Sequence, residues 1–285
     1  MTNLSDLLPA GGGAKEATAI ASGTLSTGQT VALLSNGQVE AVGESTVTAS
    51  LGNVNSLGTY GTKNSIAGYY DKAQNACVIF FSGTSDYLVG VVGTISGSTI
   101  TFGGVTTGFS YSTYGYVAAY DTTNNKGVVV FKDSGNTGDW LAKQVNVSGT
   151  TISFESSYTV ISTHSSLPVG MVYCSDSDRF LAVWNSSSQS TLQHNIGQIS
   201  GTGTSWTGVY NNFNGSNFQS YSGGWAASLS YDPVNSCVLM CQTYRYSPYY
   251  MSYMVLTVPS SGSASATIAQ NPINNYYSDT PHAAY

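Results

Sequence analysis

Four segments of the chain share one pattern of apolar and polar positions. In each, a tyrosine ends a short apolar run, a tight turn containing Asp or Asn follows, and a strand rich in β-branched and aromatic residues comes next. The clearest copy is YDTTNNKGVVVF at residues 120–131. The anchor tyrosines Tyr70, Tyr120, Tyr173 and Tyr231 lie 50, 53 and 58 residues apart. This spacing predicts a repeat protein.

Each repeat predicts four antiparallel strands, which we call a to d. A Tyr-Asp turn joins a to b, and a Ser-Gly hairpin joins c to d. Four-stranded units of this length are typical of propeller blades. In repeat order, the predicted strands are 66–70, 76–81, 87–95 and 99–102; 116–120, 127–132, 140–147 and 151–154; 169–173, 179–184, 191–199 and 205–209; and 227–231, 237–242, 251–258 and 264–269.

The two ends of the chain carry the pieces of a fifth unit. Counterparts of strands b, c and d lie within residues 17–42, and the final HAAY, residues 282–285, matches the strand-a sequence VAAY of residues 117–120. The sequence therefore predicts an all-β fold: a five-bladed β-propeller over residues 17–285, with one composite blade closed by N- and C-terminal strands. Closure of this kind hides strand edges that would otherwise pair with other chains.

Residues 1–16 differ in kind from the rest, because a short leucine-containing segment leads through a proline to three glycines. This composition predicts an N-terminal anchoring tail with a flexible joint. The candidate anchoring residues are Leu4, Leu7, Leu8 and Pro9.

Composition supports the all-β class and excludes several partners. Charged residues make up 8% of the chain, against roughly 25% in an average domain, while Gly and Tyr number 32 and 21. The net charge of −6 and the scattered basic residues leave no stripe for nucleic acid. No apolar run approaches the ~20 residues of a membrane span. The first residues lack the pattern of a secretory signal, so we expect folding in a cytoplasm.

The chain offers little catalytic chemistry. Asp71, Asp121 and Asp232 stand at the mouths of tight turns, where a carboxylate accepts backbone N–H bonds; this structural role is favoured over a ring of catalytic acids. Asp133 and Glu155, with the neighbouring Asp139, are acids of the variable loops but form no obvious catalytic pair. The sequence therefore predicts no enzyme, no catalytic residue and no cofactor.

The histidines and cysteines form no recognised metal-binding or nucleophile motif. We interpret the four cysteines as small core hydrophobes, with a metal site or a disulfide as the alternative. The sequence predicts no metal ligand. The cysteines are Cys77, Cys174, Cys237 and Cys241.

An antiparallel meander sorts the connections onto two faces. The a–b and c–d turns are short and repetitive, whereas the b–c and d–a loops vary, so we expect recognition on the variable-loop face. Residues 243–250 form the densest aromatic loop, and rigid tyrosines with an arginine recur in recognition surfaces; packing against the blade edge is the alternative. A looser aromatic group lies at residues 210–221. The candidate ligand-binding residues are Tyr244, Arg245, Tyr246, Tyr249 and Tyr250.

The N-terminal sequence LSDLLPAGGG, residues 4–13, followed by ASGTLSTGQTVAL, residues 21–33, resembles the opening of virion proteins of tailed bacteriophages, particularly marine ones. The later YD…N…VVV…SGTTISF repeats are similar to segments of the same group. The resemblance implies a fibre-like, knob-like or capsid-decorating protein that is assembled in the host bacterial cytoplasm and located in the virion. Its implied partners are capsid or tail proteins, bound through the N-terminal tail. The aromatic loop and the low charge of the chain suit a host surface glycan as a further partner.

Other functions remain open at this point. A stand-alone carbohydrate-binding propeller is the main alternative, and a glycoside hydrolase is less favoured because no pair of carboxylates converges. The sequence also leaves open whether the chain forms a homo-oligomer and whether it sits on the capsid or the tail.

Overall fold

The computed structural model describes residues 20–25, 31–41, 66–97, 99–162, 168–185, 192–211, 228–244 and 250–273. Within these ranges the chain is all-β, and apart from a 3-10 turn at Thr84–Asp86 every regular element is a strand. The chain divides into two compact units, Met1–Gly52 and Asn53–Tyr285. The predicted boundary at residue 16 lies outside the described residues. So do the predicted anchoring residues Leu4, Leu7, Leu8 and Pro9.

The first unit contains a small sheet of β1 (Ile20–Ala21), β2 (Val31–Leu33) and β3 (Gln38–Ala41). Strands β2 and β3 form the predicted antiparallel hairpin, whose turn glycine, Gly37, has a φ of 81°. The predicted strand order is wrong, however. Strand β1 pairs in parallel with β3 and not with β2. Two residues are too few for a side-chain pattern to specify which edge they join.

In the second unit, each of the four repeats contains a four-stranded antiparallel meander, and one further short strand is added in repeats 2 and 3. The predicted strands agree with the observed ones to within a few residues except at β8. The first repeat contains β4 (Ile66–Asp71), β5 (Ala76–Ser82), β6 (Tyr87–Ser96) and β7 (Thr99–Phe102). The second contains β8 (Thr106–Asp121), β9 (Lys126–Asp133), β10 (Trp140–Ser148), β11 (Thr151–Phe154) and β12 (Thr159–Ser162). The third contains β13 (Pro168–Cys174), β14 (Arg179–Asn185), β15 (Leu192–Ser200), β16 (Gly203–Trp206) and β17 (Tyr210–Asn211). The fourth contains β18 (Ser228–Asp232), β19 (Cys237–Tyr244), β20 (Tyr250–Thr257) and β21 (Ser265–Ile273).

The outer strand of a repeat is split into two short pieces. Strand β7 pairs with the end of β6, and the first part of β8 then pairs with Tyr87–Gly90 at its beginning. The sequence predicts a d–a loop at residues 104–113, between strands d and a of successive repeats, and this prediction is wrong. These residues alternate Thr, Phe and Tyr with Gly and Ser, and the open edge of β6 gives their backbone a partner. Strands β12 and β17 pair in the same way with β10 and β15.

Because β8 continues into the inner strand of repeat 2, the first two repeats share one nine-stranded sheet. The chain bends within β8 at Gly115, where φ is 66° and the register shifts between Tyr114 and Val117. The strand thus passes from the outer edge of one repeat to the inner edge of the next without a loop.

The inner strands β4, β8, β13 and β18 pack beside one another in that order. A buried apolar cluster fills each junction between consecutive repeats. The almost completely buried side chains of these clusters include Phe80, Phe131 and Leu141 at the first junction, Trp140, Phe180 and Trp184 at the second, and Leu181, Leu192, Met240 and Met254 at the third. Each repeat therefore buries one sheet face against the next, the usual solution for a half-apolar sheet.

The repeated turns explain the Asp and Asn positions of the sequence pattern. The residue five positions after each anchor tyrosine lies in the left-handed region, with φ of 50° at Asn75, 54° at Asn125, 54° at Asp178 and 53° at Ser236. Asn and Asp adopt this conformation more readily than most other residues, because their short side chains can hydrogen-bond locally. Serine at position 236 is the exception in the series.

Candidate functional site

The predicted aromatic loop of repeat 4 is shorter than expected. Tyr244 ends β19 and Tyr250 begins β20, and the two residues pair across the strands, so both belong to the sheet and their assignment to a loop is wrong. Residues 245–249, which include the predicted contacts Arg245, Tyr246 and Tyr249, lie outside the described residues. Their role in binding stays a prediction.

The looser aromatic group at residues 210–221 contributes one described side chain. Tyr210 is half-buried, and its ring stacks on the buried His194 ring at 5.4 Å between centroids and 24° between planes. This contact assigns Tyr210 a packing role between β17 and β15. Burial lowers the pKa of His194 to about 4, so the imidazole is neutral at pH 7.

The repeated aspartates cap their own turns, as the sequence predicts. Asp121 is buried, and its Oδ1 accepts hydrogen bonds from the backbone N–H groups of Thr123 and Asn124, both at 2.8 Å. Asp232 accepts from the N–H of Val234 at 2.8 Å, and Asp71 accepts from that of Gln74 at 3.0 Å. These bonds occupy carboxylate oxygens that a catalytic acid would need.

The anchor tyrosines tie one repeat to the turn of the preceding one. The Tyr173 hydroxyl lies 2.6 Å from Asp178 of its own turn, to which it donates, and 2.8 Å from the Thr123 hydroxyl of repeat 2. The Tyr231 hydroxyl accepts a hydrogen bond of 3.3 Å from the backbone N–H of Asp176 in repeat 3. The Tyr-Asp pattern is therefore a device for stacking repeats, which explains its recurrence without a catalytic role.

A second set of hydrogen bonds connects strand c of a repeat with the outer strand of the preceding repeat. Lys143 Nζ donates to the Gly108 carbonyl at 2.9 Å, and Asn195 Nδ2, one repeat later, donates to the Ile161 carbonyl at 3.2 Å. Burial lowers the pKa of Lys143, and nearby Glu155 opposes this effect. Lys143 is thus a structural group, because its ammonium is turned into the junction.

An open cavity of about 210 Å³ lies between repeats 3 and 4. Its floor includes Cys174, which takes the place of the turn aspartate in repeat 3. Burial raises the pKa of the Cys174 thiol to about 12, and the charge of Asp176 acts in the same direction. The thiol therefore stays protonated at neutral pH and is a poor nucleophile. The cavity is lined by Cys174, Asp176, Ser177, Tyr231, Ser236, Val238, Thr257, Val258 and Ser260.

An exposed aromatic surface, which we call the aromatic patch, lies on the outer strands of repeats 1 and 2. Tyr111 of β8 and Tyr158, just before β12, expose 51% and 47% of their surfaces. Both rings rest on the nearly buried Phe109, at centroid distances of 5.5 Å and 5.6 Å, and the Tyr158 ring meets it edge-on at 89°. Phe109 in turn packs on the core residue Phe131 at 5.1 Å. Two exposed rings are thus held on a rigid base.

The b–c loop of repeat 2 borders the aromatic patch. The backbone N–H groups of Ser134 and Gly135 donate to the Ser112 carbonyl at 2.8 Å and 3.0 Å. Asp133 is buried beneath this loop and accepts hydrogen bonds from the N–H groups of Gly135 and Asn136, both at 3.1 Å. The loop is therefore fixed by its own aspartate, whose buried carboxylate accepts hydrogen bonds from the loop backbone.

Glu155, another acid near the patch, also accepts hydrogen bonds from the protein. Glu155 Oε1 accepts hydrogen bonds from Asn146 Nδ2 at 3.0 Å and from Gln144 Nε2 at 3.3 Å. The carboxylates of Asp133 and Glu155 are therefore both bound by groups of the protein itself.

Sequence reasoning did not single out the aromatic patch. Phe109 and Tyr111 are two positions apart on one strand, and Tyr158 is about one repeat further along the chain. Their meeting depends on how repeat 2 stacks on repeat 1. The available signal was the alternation of Phe109, Tyr111 with Ser110, Ser112, which indicates a strand whose one face carries two aromatic rings.

The described residues provide no metal centre and no membrane-crossing helix. Within them, no group of three or more His, Cys, Asp or Glu side chains is close enough to hold an ion. No helix in these same ranges is long and apolar enough to cross a bilayer. All four cysteines, which the structure describes, are free thiols.

Comparison with protein-family models and with curated proteins gave no match. Any account of function therefore depends on the fold, on the aromatic patch and on the sequence patterns themselves.

Proposed function

We propose that this chain is a non-catalytic virion structural protein of a tailed bacteriophage, attached to the particle through its N-terminal tail and presenting a propeller for recognition. The observation that carries the recognition part is the aromatic patch. Two tyrosine rings stand exposed on a rigid base, while the nearby carboxylates of Asp133 and Glu155 are bound to the protein itself. Exposed aromatic anchors of this kind are enriched in binding surfaces.

The virion assignment is supported by the resemblance of residues 4–13 and 21–33 to virion proteins. Under this proposal the protein is located in the virion, after assembly in the cytoplasm of the host bacterium. Its partners are then capsid or tail proteins on one side and a host surface or a neighbouring subunit on the other.

For the architecture, we propose a five-bladed β-propeller in which the four repeats are blades and the terminal segments supply the fifth. Support comes from the two end repeats, which are apolar on both faces. Phe81 and Val91 of repeat 1 are buried on the face away from repeat 2, and Leu239, Cys241 and Val255 of repeat 4 are half-buried on the face away from repeat 3. A sheet that is apolar on both faces needs a layer on each side.

The sheet of the first unit carries exposed apolar side chains at Ile20, Val31 and Leu33. In the proposed ring, the β2–β3 hairpin provides two strands of the composite blade, and residues 282–285 provide the inner strand. An experimental density map of the purified protein should therefore contain five radial sheets. A map with four sheets in an open arc would contradict the proposal.

The virion proposal predicts binding that depends on the tail. The purified full chain should co-sediment with tail-bearing virions or capsids, whereas a variant lacking residues 1–15 should remain in the supernatant, because the tail carries the anchoring leucines. Matching melting curves of the two proteins provide the folding control. Equal co-sedimentation of both proteins would contradict anchoring through the tail.

The two alternative functions, a carbohydrate-binding propeller and a glycoside hydrolase, predict different experimental results. A stand-alone carbohydrate-binding propeller would bind glycans but no particle component, with or without residues 1–15. A glycoside hydrolase would release reducing ends from a glycoside library. We do not expect such turnover, because the carboxylates of Asp133 and Glu155 are held by protein hydrogen bonds.

A further inference from the structure

We infer that the aromatic patch is a binding site for a neutral sugar ring, which stacks on Tyr111 and Tyr158. This inference rests on the proposed recognition function and names its ligand class and location. It moves the expected contact site from the repeat 4 loop at residues 245–249 to the outer strands of repeats 1 and 2.

The first argument is the geometry of the two rings. Tyr111 and Tyr158 each lie within 5.6 Å of Phe109, yet about half of each side chain remains exposed. Phe109 itself is fixed against Phe131 in the core of the first junction. Such rings lose little conformational freedom on binding, which is the reason rigid tyrosines are effective anchors. The apolar face of a pyranose ring is a natural partner for a flat aromatic surface.

The second argument is the polar border of the patch. Tyr111 is followed by Ser112, which is hydrogen-bonded to Ser134, and Gly135 lies against the Tyr111 side chain. Asn136 of the same loop is exposed. Hydroxyl and amide groups around an aromatic platform can bond to the ring hydroxyls of a sugar, because each group both donates and accepts. An apolar protein partner would bury the exposed amide of Asn136 without offering it hydrogen bonds.

The third argument is the absence of an exposed cation from the described groups that surround the patch. Lys143 is buried with its ammonium on the Gly108 carbonyl, and Lys132 is buried with its ammonium 5.6 Å from the centroid of the Tyr114 ring. The half-buried carboxylates of Asp139 and Glu155 carry the opposite charge. Nothing in this arrangement would pair with a carboxylate, sulfate or phosphate on a ligand. The chain is also acidic overall, with a net charge of −6. The site therefore selects neutral saccharides over acidic ones.

The test measures binding of cello-, laminari-, malto- and chitohexaose to the full chain by titration calorimetry, with an anionic alginate hexamer as the charged probe. We expect at least one neutral hexasaccharide to bind and alginate not to bind. Tyr111→Ala and Tyr158→Ala should each weaken that binding by roughly tenfold or more, in the range typical of aromatic anchors. Tyr111→Phe and Tyr158→Phe should retain most of it, because they keep the ring.

Tyr70→Ala is the matched control. Tyr70 is a similarly exposed tyrosine of repeat 1, 48% exposed, but it lies at the short-turn end of β4. The Tyr70→Ala variant should bind the sugar as the unmodified chain does. Melting curves should confirm that each alanine variant is folded. An Arg245→Ala variant tests the repeat 4 loop in parallel.

Four results would overturn the inference. They are no binding of any neutral probe, a loss of sugar affinity in Tyr111→Ala and Tyr158→Ala no larger than in Tyr70→Ala, a loss of affinity only in Arg245→Ala, and tyrosine-dependent binding of alginate alone. The proposed function has a separate readout, because tail-dependent co-sedimentation with particles does not involve the patch. Failure of the sugar site is therefore distinguishable from failure of the virion assignment.

Discussion

Replacing Gly127 with alanine is expected to lower the free energy of unfolding by about 3 kcal/mol, at the upper end for an overpacked core position. A β carbon at residue 127 would overlap the ring and hydroxyl of Tyr69 from repeat 1. Tyr69 cannot turn aside easily, because its ring stacks on Tyr120 at 5.7 Å and packs against Phe80 at 5.8 Å. The substitution therefore strains the junction between repeats 1 and 2.

Urea denaturation of the variant and the parent chain measures this loss. Gly104→Ala is the matched control, since a β carbon there would meet no atom within 4 Å, and it should change stability by less than about 0.5 kcal/mol. Adding Tyr69→Leu to Gly127→Ala should recover part of the loss, giving a double variant more stable than the sum of the single changes predicts. Additive losses would show that Tyr69 is not the cause.

This junction also shows why the repeats could be predicted while their stacking could not. The alternation of apolar and polar residues and the residues of short turns are local signals. The sequence therefore predicts strands such as Thr99–Phe102 and Thr151–Phe154 with their observed bounds. The contact between Gly127 and Tyr69 joins residues of different repeats. A single glycine at the start of a strand carries no information about which side chain will lie above it.

The failed predictions have the same origin. The segment at residues 104–113 was expected to be a loop because the strand before it, Thr99–Phe102, completed a four-stranded unit. This segment forms a strand because β7 is short and pairs only with the end of β6. The beginning of β6 is therefore left with an open edge, and β8 pairs with it. In the first unit, β1 joins β3 because two residues cannot specify an edge by their pattern.

The sequence predicts recognition by aromatic rings, but it does not predict which rings form the aromatic patch. Low charge and many tyrosines indicated recognition by aromatic rings, and the turn aspartates were assigned correctly to structure. The density of aromatic residues favours a site at residues 243–250. The aromatic patch instead combines rings from two repeats, and an isolated Tyr158 in a polar segment gives no sign of its neighbours.

Acidification is expected to destabilise the protein between about pH 6.5 and pH 4 through His194. This imidazole is fully buried at the junction of repeats 3 and 4, where its Nε2 accepts a hydrogen bond of 3.1 Å from the backbone N–H of Ala264. Burial lowers its pKa to about 4, whereas an unfolded chain holds histidine near its ordinary value of 6.5. Below pH 6.5 the unfolded state therefore binds a proton that the folded state excludes, and stability falls as the pH decreases. The difference corresponds to about 3 kcal/mol once both states are protonated.

Urea denaturation at a series of pH values between 7 and 4 measures this slope. A His194→Gln variant should lose the slope, because its amide does not titrate while its oxygen can still accept from Ala264. Asp176 provides no competing explanation within the window. Its pKa is lowered by hydrogen bonds from Ser236 and Tyr231, so its contribution disappears only as the pH falls below its ordinary value of 3.8. Equal slopes in the parent chain and in His194→Gln would assign the acid sensitivity to other groups, and the junction between repeats 3 and 4 would then not be held together by a neutral imidazole.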